Sequence, residues 1–243
     1  MNNSSVDHLP NSESWVFDES VAECFDDMLV RSIPLYEQTL DLVARVVAKH
    51  ISVGDTILDL GVSSGNAILR ISERLQEHGV SDVRFVGVDN SPSMLQRAAG
   101  RLPESTELIE ADLSKSWPYR LKACKPKVIL SLWTAQFIPL EYRSLMFANA
   151  RSSIVSGGCM FVAEKLRGQT SAHQVALARL YEKWKVDSGY ELDCVRAKAK
   201  SLEGVLVSLS APEMKAVLLN EGWNPEEVIR YLGFAGYYCL PKP

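Results

Sequence analysis

The chain has 243 residues, 47% of them hydrophobic and 23% charged, so it can bury the core of one sizeable domain without a disulfide or metal staple. Its formal net charge is −4, which disfavours a nucleic-acid binder, whose footprint is a basic face. The five cysteines are scattered and lack CxxC spacing, the four histidines form no cluster, and no apolar run reaches the ~18 residues of a membrane span. The polar N-terminus (Met1 to Trp15) has no leader-like apolar stretch, so the expectation is a cytoplasmic chain with no metal and no membrane contact.

Residues 1–14, rich in Asn, Ser and Pro, read as mobile. From Phe17 to Ser32, Val21, Phe25, Met28 and Leu29 recur at helical spacing, with Asp18 as a cap. Pro34 opens a second helix to about His50, with Leu40, Val43 and Val47 on one face. Short apolar runs then predict strands at Thr56 to Leu60, Arg84 to Asp89, Glu107 to Ala111, Lys127 to Trp133 and Cys159 to Ala163. Helical patterns separate them after Gly65, after Ser91-Pro92 and over 139–155. Strands alternating with helices imply right-handed crossovers and a parallel sheet. The rhythm changes over 166–220, a helical insertion suited to a lid or a dimer contact. Val228 to Leu240, split near Gly233, reads as a closing hairpin. One domain over 15–243 follows, with a helical cap at 15–50.

The first strand runs into Asp59-Leu-Gly61-Val-Ser63-Ser-Gly65, a glycine-rich turn between strand and helix. Glycine there permits tight geometry and close approach of a ligand. Asp89 ends the second strand and can accept both hydroxyls of a ribose; Asp112, past the third, can accept an adenine amino group. Three strand ends thus converge on one crevice, where open α/β sheets bind ligands. A dinucleotide turn would place a second glycine where Ser63 stands. Asp59 also suits the amino group of S-adenosylmethionine, which is the preferred ligand. The bland alternative is that Asp89 and Asp112 only cap turns.

Several stretches carry a resemblance. Phe17-Asp-Glu-Ser-Val-Ala-Glu-Cys-Phe-Asp-Asp-Met28, Arg31-Ser-Ile-Pro34-Leu-Tyr36, Val88-Asp-Asn-Ser-Pro-Ser-Met94, Thr134-Ala-Gln-Phe137 and Glu164-Lys165 are similar to the carboxy-S-adenosylmethionine synthases, a branch of the class I methyltransferases. The resemblance implies a Rossmann-like methyltransferase fold: a mostly parallel α/β sheet with a C-terminal antiparallel hairpin, an N-terminal helical cap and a helical insertion after the fifth strand. It implies a homodimer and a site of Tyr36, Gly61, Val62, Ser63, Asp89, Asn90, Asp112 and Leu113. With the turn and strand ends, the candidate binding set adds Asp59, Gly65, Met94 and Ser131. Tyr36, Trp133 and Tyr190 are candidates for a catalytic part, and Trp15, Tyr181 and Trp184 for acceptor contacts.

Two departures matter. The family's carboxylate-holding arginine aligns with Ala199, and its asparagine after the fourth strand becomes Leu132. A carboxylate in a closed pocket needs a paired cation. Arg196, Lys198 or Lys200 can replace the arginine only if the helix register slips; otherwise they form a solvated face. The leading expectation is therefore methyl transfer to a small molecule. The alternatives are cyclisation of S-adenosylmethionine on itself to azetidine-2-carboxylate with release of methylthioadenosine, carboxy-S-adenosylmethionine synthesis with a rewired site, and a non-catalytic sensor. Ser131-Leu-Trp-Thr134 lacks the motif used to methylate exocyclic amines of bases, so no nucleic-acid partner is expected.

Overall fold

A computed structural model describes the backbone from residue 19 and side chains from residue 25 to the end. The N-terminal segment expected to be mobile (residues 1–14), the expected Asp18 cap and Trp15 fall outside the described residues. Two helices come first, α1 (Glu19–Ser32) and α2 (Tyr36–His50). The second starts two residues after Pro34, and its buried face is Leu40, Val43, Ala44 and Val47, as a 3.6-residue period requires.

The sheet has seven strands in the order β3-β2-β1-β4-β5-β7-β6. The strands are β1 (Thr56–Leu60), β2 (Arg84–Asp89), β3 (Glu107–Glu110), β4 (Val128–Leu132), β5 (Cys159–Lys165), β6 (Trp223–Tyr231) and β7 (Phe234–Pro241). The first five pair in parallel, and β7 lies antiparallel between β5 and β6. β1 is buried along its whole length, because parallel strands carry helices on both faces. Those helices are α3 (Asn66–Glu77), α4 (Pro92–Ala99), the short α5 (Tyr119–Ala123) and α6 (Leu140–Ser153). The α4 helix begins where the Ser91 side chain accepts from the Met94 N–H at 3.3 Å, with Pro92 at its first position.

Chain order reverses at β1, which has β2 on one side and β4 on the other. This is the position at which α/β sheets open a crevice at the strand carboxyl ends. After β5 come α7 (Ser171–Asp187), α8 (Leu192–Ser201) and α9 (Ala211–Asn220). Among the described residues no helix is long and apolar enough to cross a membrane. The hairpin begins at Trp223, five residues before the expected start, because β6 is an edge strand and tolerates Pro225 and surface charges.

Candidate functional site

The carboxyl ends of β1, β2 and β4, the cap helices and α7 enclose one cavity of about 1050 Å³. Tyr36, Asp59, Gly61, Val62, Ser63, Asp89, Asn90, Met94, Asp112, Leu113 and Trp133 line it. Gly65, Ser131 and Tyr190 lie outside that lining: Gly65 starts α3, Ser131 is buried within β4, and Tyr190 backs the insertion wall.

The glycine turn has a steric reason. Gly61 has φ 79°, and a Cβ there would lie 2.3 Å from Thr134 Oγ1. Past it, the Ser63 N–H donates to Asp89 at 2.9 Å, and Ser91 N–H donates to the other Asp89 oxygen at 2.9 Å. These bonds aim the carboxylate, while burial pushes its pKa up. Ser63 Oγ is buried with no hydrogen-bond partner among the described residues, so a ligand polar group is wanted there. Asp112 is partly committed: Ser114 donates twice to one oxygen, and Lys115 pairs with the other at 2.9 Å.

Asp59, at the end of β1, is 3% exposed. Burial, then the neighbouring Asp89, raises its pKa to about 7. Among the described residues no hydrogen-bond donor is directed at its carboxylate. A cationic amino group is the partner such a carboxylate calls for.

Asp26 fastens the cap to the turn, a part that local pattern does not reveal. Its carboxylate accepts from Ser64 Oγ at 3.0 Å and Asn66 Nδ2 at 2.8 Å, and it pairs with Arg97 and Arg101 at 3.0 and 3.2 Å. Asn66 Nδ2 also donates to Tyr36 Oη at 3.0 Å. Burial holds Tyr36 protonated, with its pKa raised, and its ring lies 5.0 Å from that of Trp133. Trp133 has φ 58°, a left-handed conformation that costs a bulky residue free energy. Its N–H is fixed by Ala163 O at 2.6 Å.

The loop after β4 is held from below. Glu164 accepts from the Ala135 and Gln136 N–H groups, each at 2.9 Å, and burial lifts its pKa to about 8. Buried Arg143 donates to Ile138 O, Gln136 O and Val207 O, tying the loop to the end of the insertion.

The insertion closes the roof. Tyr181 Oη donates to Ser32 O at 2.6 Å, Ser32 Oγ and Tyr190 Oη share a hydrogen bond at 3.0 Å, and Arg31 donates to Ser188 O and Gly189 O. Two lysines line the same cavity, and periodicity did not single them out. Lys165 Nζ lies 4.3 Å from the Tyr181 ring centroid, and Lys185 Nζ lies 4.7 Å from that of Tyr190. Burial lowers both pKa values to about 8, and for Lys185 the Lys165 and Arg31 charges add to it. Ala199 lines the cavity without a charge, and Arg196, also in the lining, is exposed and paired with Glu182 at 3.1 Å. Lys198 and Lys200 also reach the lining.

A methyltransferase domain profile matches residues 57–158. The chain is 32% identical over 231 residues to the carboxy-S-adenosyl-L-methionine synthase of Wolinella succinogenes, covering 93% of this chain and 92% of that one. It is 30% identical over 229 residues to the protein of that name from Helicobacter pylori strain Shi470, covering 90% of each. A solved DhpI–SAH complex shares the fold with a TM-score of 0.62 at 16% identity, covering 93% of both chains. On these grounds the chain belongs to the carboxy-S-adenosyl-L-methionine synthase family, within the class I methyltransferase fold.

Proposed function

We propose that the protein is an S-adenosylmethionine-dependent transferase whose nucleophile is the α-amine of S-adenosylmethionine itself. The amine closes on the γ-carbon, giving azetidine-2-carboxylate and methylthioadenosine. The composition of the cavity beyond β4 carries this reading. Leu132 and Trp133 pack into one apolar cluster with Ile33, Tyr36, Leu40, Tyr181 and Phe234. A polar acceptor beside the sulfonium would need hydrogen-bonding groups at Leu132 and Trp133. The family's polar side chain after β4 is instead Leu132, and its arginine is Ala199.

The binding residues match the ligand in sequence along the crevice. Asp89 takes the ribose hydroxyls, Ser63 Oγ a further polar atom, and Asp112 the adenine edge. The sulfonium makes its neighbouring carbons electrophilic and leaves as a neutral thioether. Asp59 does the acid–base work: the amine must shed a proton before it can attack, and a carboxylate poised near neutral can take it. The N–C bond forms as the C–S bond breaks, and the proton on Asp59 passes to solvent. The faces of Tyr36 and Trp133 offer π density to the cation and exclude water.

A second reading rests on the cavity's size. About 1050 Å³ is just above the roughly 300–1,000 Å³ of single-ligand sites, which favours room for a small methyl acceptor. Exposed Val175, Leu180 and Val186 on α7 favour a homodimer through the insertion, a state that size-exclusion chromatography with light scattering would read directly.

The test is incubation with S-adenosylmethionine alone, with products identified by mass. Methylthioadenosine above the uncatalysed rate is expected. S-adenosylhomocysteine formed only with an added acceptor would move the assignment to methyl transfer. A carboxylated product formed only with prephenate would restore the family reaction, and bound but unchanged ligand would mean a sensor.

A further inference from the structure

We infer that Lys165 and Lys185 form a carboxylate-binding site in the wall of the cavity built by β5 and α7. The inference rests on the cyclisation reading only for the source of the carboxylate.

Both lysines line the cavity. Lys185 is 4% exposed. Neither lysine is in an ion pair with any described carboxylate. Their surroundings are aromatic: Tyr181 and Phe234 lie 4.3 and 5.9 Å from Lys165 Nζ, and Tyr190 and Tyr181 lie 4.7 and 5.7 Å from Lys185 Nζ. The acids nearest in sequence are spent elsewhere, Glu164 on backbone N–H groups and Glu182 on Arg196. Two like charges held in a dry aromatic wall are costly unless an anion joins them. Because they face a cavity rather than packed core, that anion belongs to a ligand.

The topology indicates which anion. Asp59 on β1 stands level with Leu130 of β4 and Phe161 of β5, and Lys165 lies four residues further along β5, at its end. Two strand spacings of ~4.8 Å and four residues of rise at ~3.3 Å put the two backbone positions ~16 Å apart, a gap that an aspartate and a lysine side chain can close around an amino-acid moiety. An amino-acid moiety has the matching polarity, an ammonium for Asp59 and a carboxylate for the lysines. The same chemistry would arise from a second small carboxylic acid, so the sources must be separated by experiment. The site differs from the one the family pattern points to. That position is Ala199 on α8, whereas these lysines stand on β5 and α7.

The experiment is titration calorimetry on the full chain and its Lys165→Met and Lys185→Met variants. The ligands are S-adenosylmethionine and its decarboxylated form, identical but for the α-carboxylate. Wild type is expected to prefer the carboxylated ligand by about 10- to 100-fold, the range for a hydrogen bond to a charged group. Either variant should lose that preference while binding the decarboxylated ligand unchanged, which also serves as the control for folding. In a second arm, phenylpyruvate is titrated into protein saturated with the decarboxylated ligand. If wild type shows no preference in the first arm but binds phenylpyruvate, and the variants do not, the site stands and the carboxylate comes from a second molecule. Lysine-independent binding in both arms overturns the site. A lysine-dependent preference without methylthioadenosine production keeps the site and removes the cyclisation reading.

Discussion

Replacing Lys165 by Met should stabilise the empty protein. The ammonium sits in an aromatic wall, and burial brings its pKa from 10.5 to about 8. Each pKa unit is ~1.4 kcal/mol, so the charged form costs the folded state about 3 kcal/mol near neutrality. Methionine retains the length and apolar contacts without the charge. For a chain of this size, 1 kcal/mol shifts the melting midpoint by ~2–4 °C, so the variant should melt roughly 6–12 °C higher at pH 7. The sign with pH follows from linkage. A lysine whose folded pKa is depressed carries its full penalty below that pKa, and the penalty fades as pH rises toward the unfolded value. The gap between variant and wild type should therefore be widest below pH 8 and close between pH 8 and 10.5. Differential scanning calorimetry across pH 6–10.5 reads this directly, and subtracting the two proteins removes the other titrating groups. Equal midpoints at pH 7, or a gap that does not narrow above pH 8, would refute an unpaired buried ammonium. Saturating S-adenosylmethionine should reverse the order, because only wild type gains the carboxylate.

Asp59→Asn should cut methylthioadenosine formation by about 10²–10⁴-fold. In wild type the rate should rise with pH through about 7, as Asp59 becomes able to accept a proton, and the residual rate of the variant should lack that inflection. Asp89→Ala should weaken S-adenosylmethionine binding by roughly 10- to 100-fold in calorimetry, since a charged acceptor with fixed aim is lost. Gly61→Ala should lower the melting midpoint, because its Cβ would stand 2.3 Å from Thr134 Oγ1. An unchanged midpoint would show that the Thr134 loop gives way. Asp26→Ala should raise KM, because Arg97 and Arg101 then lose the carboxylate that joins α1 to the turn.

What could be read from the residues was local. The apolar runs of β1, β2, β4 and β5 are buried parallel strands, and short runs between helical patterns have few other homes. The turn from Asp59 to Gly65 and Asp89 could be placed because a strand end fixes where its next few side chains go. The start of β6 was hidden by Pro225 and its glutamates, which suit a loop as well as an edge strand. The five-residue α5 is too short to show a period. The lysine pair was hidden for a different reason. Lys165 closes a strand and Lys185 lies on a helix of mixed polarity, and nothing in the spacing says that the two ammonium groups share a cavity. Asp26 likewise finds Arg97 71 residues away. Ala199, by contrast, was a readable absence, and the lysines that line the cavity, Lys165 and Lys185 among them, stand at other positions.

The roof over the cavity joins parts of the chain made at opposite ends of synthesis. Arg31 waits for Ser188, 157 residues later, and Tyr181 reaches back to Ser32. A ribosome that has finished all five parallel strands through Lys165 has therefore built the floor of the site and its aspartates, with no ceiling. The cap helices must pass that interval with the inner face of the pocket exposed, and ligand affinity should arrive late, when the lining from residues 171–206 and then Phe234 has left the exit tunnel. The pocket is thus among the last features of the molecule to become functional, although its signature motif is among the first to be translated.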